Sequence, residues 1–146
     1  MSIFFSKQCE YALQAVLYLA LKPAGEMTSI KDLAASLAIP YHFVAKILQD
    51  LTHKGLLASQ KGPNGGFTLA IEPKEITLLH IVEAIDGVAF TNGCVLGFSE
   101  CSGKNPCAVH NQWGELRETI YSMLVNKNMG EMARDMKKPE YNLAAS

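Results

Sequence analysis

Residues 28–70 read TSIKDLAASLAIPYHFVAKILQDLTHKGLLASQKGPNGGFTLA. Two helical periods give way here to a strand period, and that order decides the fold. Ile30, Leu33, Ala34 and Leu37 recur at helical spacing, so Ser29–Leu37 reads as a short helix with Thr28 as its cap. Ala38-Ile39-Pro40 is a tight connection into a third helix over residues 41–54, whose inward face is Phe43, Val44, Ile47, Leu48 and Leu51. Gly55 closes that helix. Residues 56–60 and 67–70 then read as strands around the turn Lys61-Gly62-Pro63-Asn64-Gly65-Gly66.

Upstream, residues 6–22 form a helix that is apolar around most of its circumference, with Ser6 as N-cap and Pro23 and Gly25 ending it. Three helices followed by a hairpin with a glycine-rich tip is the order of a winged helix-turn-helix. In such a module the third helix enters the major groove. Tyr41, His42, Ala45, Lys46 and Gln49 lie opposite its apolar stripe, and Lys61 and Asn64 on the wing are placed to reach a minor groove or backbone. Modules of this shape also serve as protein-docking domains, so the pattern alone leaves both readings open.

A modest division of charge puts any DNA-binding surface at the front of the chain. Six lysines against four carboxylates leave residues 1–70 at +2, while seven basic against ten acidic residues leave the remainder at −3, within a net charge of −1. No apolar stretch approaches the roughly 20 residues of a membrane span. The start, Met1-Ser2-Ile3-Phe4-Phe5, lacks the features of a secretory signal, so the expected location is cytoplasmic. There, four cysteines read as metal ligands or redox thiols rather than structural disulfides. No phosphate loop, G-x-S-x-G or H-E-x-x-H motif is present, and His80 near Glu83 reads as a half-buried pair, so the chain is not expected to be an enzyme.

Beyond residue 72, Thr77 caps a fourth helix over Leu78–Ile85 that Asp86-Gly87 closes. A long helix follows from near Asn111 to Val125, then a short one over Gly130–Asp135, and the tail after Pro139 reads as loose. Between them runs Cys94-x6-Cys101-x5-Cys107-x2-His110, set in turn-forming residues with little apolar surface to bury. Three thiols and an imidazole are ligands for an iron–sulfur cluster or zinc, and the wide spacing leans toward the cluster. Pro106 suits the first turn of a helix, which would put Cys107 and His110 on one face. His110 also reads simply as an exposed helix-start histidine, Glu10 as a carboxylate favoured by the helix dipole, and Cys9 as a small buried residue. The chain thus divides into a DNA-binding part, residues 1–72, and a cysteine-loop sensor part, residues 73–146.

Four motifs together carry a resemblance. Glu10-Tyr11-Ala12-Leu13, Leu51-x3-Gly55-Leu56-Leu57, Lys61-Gly62-Pro63-Asn64-Gly65-Gly66-Phe67 and Cys94…Cys101…Cys107 resemble the Rrf family of bacterial winged-helix transcriptional regulators, of the IscR/NsrR-like, iron–sulfur-sensing kind. The likeness spans about residues 3–136. It implies a mainly α fold, a winged helix-turn-helix with a long C-terminal dimerisation helix (Asn111–Val125 here), and a homodimer on a double-stranded operator. It also implies a 2Fe–2S or 4Fe–4S cluster on the three cysteines, with a fourth ligand that maps either to His110 or to Glu10 of the other subunit. Two departures stand out: six residues rather than five separate Cys94 from Cys101, and the wing and third helix carry lysine where arginine or glutamate is common. Against this regulator stand a metal-free thiol/disulfide switch on the same fold and a cluster- or zinc-binding docking protein that does not touch DNA.

Overall fold

The computed structural model describes residues 4–87, 93–99 and 101–137. It contains α1 (Lys7–Leu21), α2 (Ile30–Leu37), α3 (Tyr41–His53), β1 (Leu57–Gln60), β2 (Gly66–Leu69), a 3-10 turn at Pro73–Glu75, α4 (Leu78–Ile85), α5 (His110–Asn126) and α6 (Met129–Met136). The fold is mainly helical with one two-stranded sheet, as the sequence order requires. The expectation for the tail after Pro139 falls outside the described residues.

Each end is set by a recognisable device. The Ser6 hydroxyl accepts from the Cys9 amide at 3.1 Å and caps α1. Ser29, not Thr28, caps α2, accepting from the Asp32 amide at 3.1 Å. Thr28 was the expected cap, but its backbone is engaged elsewhere. Its amide donates to the Phe67 carbonyl at 3.0 Å and its carbonyl accepts from the Phe67 amide at 2.9 Å, extending the wing by one bridge. That bridge constrains Gly66, whose φ is +146° and where an added Cβ would lie 2.4 Å from the Thr28 carbonyl oxygen. Strands β1 and β2 pair antiparallel from Leu57 opposite Leu69 to Gln60 opposite Gly66.

One core runs from Ala12, Val16 and Leu19 of α1 through Leu33, Val44, Leu48 and Leu51 to Phe67 of the wing. Ile76, Ile81, Met129 and Ala133 join the same core, so α4 and α6 are packed onto the three-helix module. A fully buried Leu such as Leu33 or Leu48 contributes about 2–3 kcal/mol by burial. A smaller cluster of Cys9, Leu79, Val82 and Leu124 binds α1, α4 and α5 together.

Three local expectations are corrected. Phe43 is not inward: it is 38% exposed and its ring lies tilted 53° to that of Tyr11 on α1, centroids 6.1 Å apart, at the margin of a core that Val44 and Ile47 fill. His80 and Glu83 are both exposed rather than a half-buried pair. The His80 ring Nδ1 accepts from the Thr77 amide at 3.1 Å and the Thr77 hydroxyl accepts from the His80 amide at 3.3 Å, a capping box. Finally, Pro106 does not start a helix; α5 begins at His110, after a turn in which the His110 amide donates to the Cys107 carbonyl at 3.2 Å.

Candidate metal centre and nucleic-acid interface

The cysteine loop is folded back on the start of α5. The Trp113 indole N–H and the Arg117 guanidinium both donate to the Gly93 carbonyl, at 2.8 and 3.1 Å, and so fix the residue that precedes Cys94. A tight turn with the Gly97 amide on the Cys94 carbonyl at 3.0 Å, and the Ser102–Asn105 pair of backbone bonds at 3.1 and 3.2 Å, shape the rest. The Ser102 hydroxyl also accepts from the Lys104 and Asn105 amides, each at 3.2 Å. These turn residues do the work that apolar packing does elsewhere.

The result brings Cys94, Cys101 and Cys107 together, with all three sulfur atoms within 4.8 Å of one another. Cys94 Sγ lies 3.7 Å from Cys107 Sγ, and Cys101 Sγ lies 3.3 Å from His110 Nδ1. A tetrahedral metal with bonds of about 2.3 Å to sulfur sets two of its thiolates about 3.8 Å apart, so this donor set fits a thiolate-bound metal group. All three thiols are half-buried, which leaves the site open to small molecules. Burial pushes the Cys94 thiol up, but backbone amides of Phe98 and Leu96 and the neighbouring thiols outweigh it, leaving it lowered to about 7. For Cys101 the backbone contact of Cys107 lowers the value, yet burial and the crowding of Cys107 and Cys94 prevail and raise it.

Glu10 is not part of this cluster within one chain. It is half-buried on α1 and pairs with Lys7 at 3.5 Å. Cys9 beside it is fully buried, and its thiol is pushed up to about 12 by burial first and then by Asp86 and Glu10.

At the other end of the fold, α3 and the wing enclose a groove of about 730 Å³. Tyr41, Gln49 and Lys61, named from the sequence, line it. His42 is exposed just outside, its ring 4.4 Å from that of Phe43. Ala45 is half-buried, Asn64 is exposed at the wing tip, and Lys46 is exposed but paired with Asp50 at 3.6 Å. Ser29, Lys31, His53 and Gln60 also line the groove and were not singled out from the sequence. The signal for Lys31 was available, since the first helix of such a pair, α2 here, crosses the backbone of the duplex.

The pattern of the Rrf2 family, described as an iron-dependent transcriptional regulator, matches residues 5–135. The chain is 38% identical over 120 residues to an HTH-type transcriptional regulator of Aquifex aeolicus (strain VF5), covering 81% of this chain and 83% of that one. It is 29% identical over 125 residues to the HTH-type transcriptional regulator IscR of Vibrio atlanticus (strain LGP32), covering 86% and 72%. Among solved structures it superposes on CymR, the global cysteine regulator of Bacillus subtilis, with a TM-score of 0.78 at 23% identity, over 92% of this chain and 98% of that one. The last likeness speaks for the fold.

Proposed function

This chain belongs to the Rrf2 family of transcriptional regulators, and we propose that it is a homodimeric DNA-binding regulator whose hold on its operator is set by an iron–sulfur cluster on Cys94, Cys101 and Cys107. The observation that carries the reading is the convergence of three half-buried thiols beside His110 at the start of α5. Three thiolates and the imidazole supply the four ligands that either a 2Fe–2S or a 4Fe–4S centre takes, and with the sulfurs within 4.8 Å of one another the thiols would spread to admit either. His110 is thus the fourth ligand that one subunit can offer, and Glu10 its rival from the partner subunit.

The division at residue 72 becomes a division of labour. α3 and the wing meet duplex DNA through Tyr41, Gln49 and Lys61, which line the groove between them, and through His42, Ala45, Lys46 and Asn64 beside it. The part beyond residue 72 senses, and α5 is the dimer helix. Leu124 is the one buried residue of α5, while Leu116 and Met123 are 59% and 50% exposed on one flank. That is apolar surface a second subunit would cover. No helix among the described residues is long and apolar enough to cross a membrane. The family's role in transcription is what puts the protein in the cytoplasm.

Protein prepared without air tests the reading: it should be coloured, with iron and sulfide in equal amounts, and bind its own promoter region in a salt-dependent gel shift that changes on cluster loss. Colourless protein with intact DNA binding would favour the second reading, a thiol switch. The 3.7 Å between Cys94 and Cys107 is the specific observation behind that alternative, since a small shift would bring them to disulfide distance.

A further inference from the structure

Arg117 is the one lysine or arginine among the residues that line the 340 Å³ cavity between the cysteine loop and α5, which it shares with Cys94, Cys101, Cys107 and His110. One guanidinium nitrogen is spent on the Gly93 carbonyl. The Nε is buried and, among the described residues, has neither a hydrogen-bond partner nor an ion pair to offset it. A buried guanidinium donor left unmatched is costly, so its retention beside three thiols asks for a partner of opposite charge. A cluster on three thiolates and a neutral imidazole is an anion in either oxidation state, and more so when reduced.

We propose that Arg117 is a positioning residue and counter-charge for the group held by the three thiols, and that it makes the cluster easier to reduce and slower to be lost. This rests on the cluster reading of the site. Trp113 and Arg117, one turn apart on α5, share the Gly93 carbonyl. The indole is held there by its own bond and by the Phe4 ring 6.2 Å away, so Gly93 stays tethered when Arg117 is changed. Charge and tether can therefore be separated. Arg117→Lys keeps a cation at the cavity, whereas Arg117→Gln keeps a donor for Gly93 and removes the charge.

The experiment compares the anaerobically prepared native protein with both variants, by visible spectrum, by reduction potential and by the lifetime of the chromophore in air. Trp113, the single tryptophan of the chain, reports through its fluorescence whether the loop still sits on α5. Expected is a lower potential and a several-fold shorter lifetime for Arg117→Gln, with Arg117→Lys close to the native protein and Trp113 emission of the cluster-free proteins unchanged. If Arg117→Gln and the native protein share one potential and one lifetime, the counter-charge role is overturned while the cluster reading stands. If both variants change together along with Trp113 emission, Arg117 is only a tether. If the native protein holds no cluster, the reading beneath falls and this role falls with it.

Discussion

The ring of His110 stands with Nδ1 3.3 Å from the sulfur of Cys101, at the first residue of α5. An imidazole at that distance shares one tetrahedral metal with the thiolate without rearrangement of the backbone. The expected outcome for Cys94→Ala, Cys101→Ala and Cys107→Ala is loss of the visible chromophore with helical content preserved. His110→Ala should keep some colour, shift the spectrum and shorten cluster lifetime, because a nitrogen ligand is replaced by solvent. Glu10→Ala with the same changes, and His110→Ala without them, would transfer the fourth position to the partner subunit.

The cluster-free, reduced protein should show graded thiol reactivity. The thiolate is the nucleophile, so Cys94, lowered to about 7, should be alkylated faster as pH rises through about 7 and level off above it. Cys101, raised from the ordinary value, should lag at pH 7.5, and Cys9, buried and pushed up to about 12, should be last. Mass spectrometry after brief iodoacetamide treatment at pH 6, 7 and 8 reads the order directly. Cys101 labelled ahead of Cys94 would contradict the arrangement of amides around the Cys94 sulfur.

Much of this was legible in the chain, for identifiable reasons. Helix α4 was read to its bounds because Thr77 and Asp86 are strong local signals at either end. The gathering of Cys94, Cys101 and Cys107 was legible because three thiols and an imidazole share one short, turn-rich segment with little apolar surface to bury. What escaped depended on contacts between distant parts. Thr28 looked like a cap by local chemistry, yet its backbone is claimed by Phe67, 39 positions further on, and Ser29 takes the role. Phe43 fits a helical stripe, but its burial is decided by how much of it α1 covers. Pro106 is suited to a helix start, but the turn from Cys107 to His110 postpones that start. Arg117 carried no motif at all, and only the folded loop reveals its place at the thiols.

The wing depends on Gly66 for steric reasons. With φ at +146° and a would-be Cβ 2.4 Å from the Thr28 carbonyl oxygen, Gly66→Ala must break the Thr28–Phe67 bridge or distort the hairpin. A loss of about 2 kcal/mol or more is expected, with weakened DNA binding. Gly25→Ala, at φ +83° with open space around it, should cost only about 1 kcal/mol from backbone strain. Urea unfolding of the two variants checks the ranking, and equal losses would show that close approach to Thr28 is not what Gly66 provides.

Assembly should depend on the outer flank of α5. Leu116 and Met123 lie seven residues apart on one side of that helix and are more than half or half exposed, at 59% and 50%. Replacing both with Ser should shift the protein from dimer to monomer in sedimentation velocity, with little change in unfolding of the subunit core. DNA affinity should fall with it, since a monomer engages one half-site. A double variant that remains dimeric would move the interface elsewhere.

The two lysines of the DNA face should not contribute equally. Lys61 is exposed on the wing, lines the groove and makes no ion pair among the described residues, whereas Lys46 is drawn to Asp50 at 3.6 Å. Neutralising a phosphate releases a counterion, so Lys61→Ala should lower affinity and flatten the salt dependence by about one contact per subunit. Lys46→Ala should do less, because that cation is already partly offset. The pair is on the surface and weak in itself, so a phosphate can compete with Asp50 for Lys46. Asp50→Asn should accordingly raise affinity at low salt, and the gain should vanish when Lys46→Ala is combined with it. Gel shifts across a salt series on cognate and random DNA separate positioning from reading, and Gln49→Ala should cost more on the cognate duplex. An unchanged salt slope in Lys61→Ala and Lys46→Ala alike would remove α3 and the wing from the contact surface.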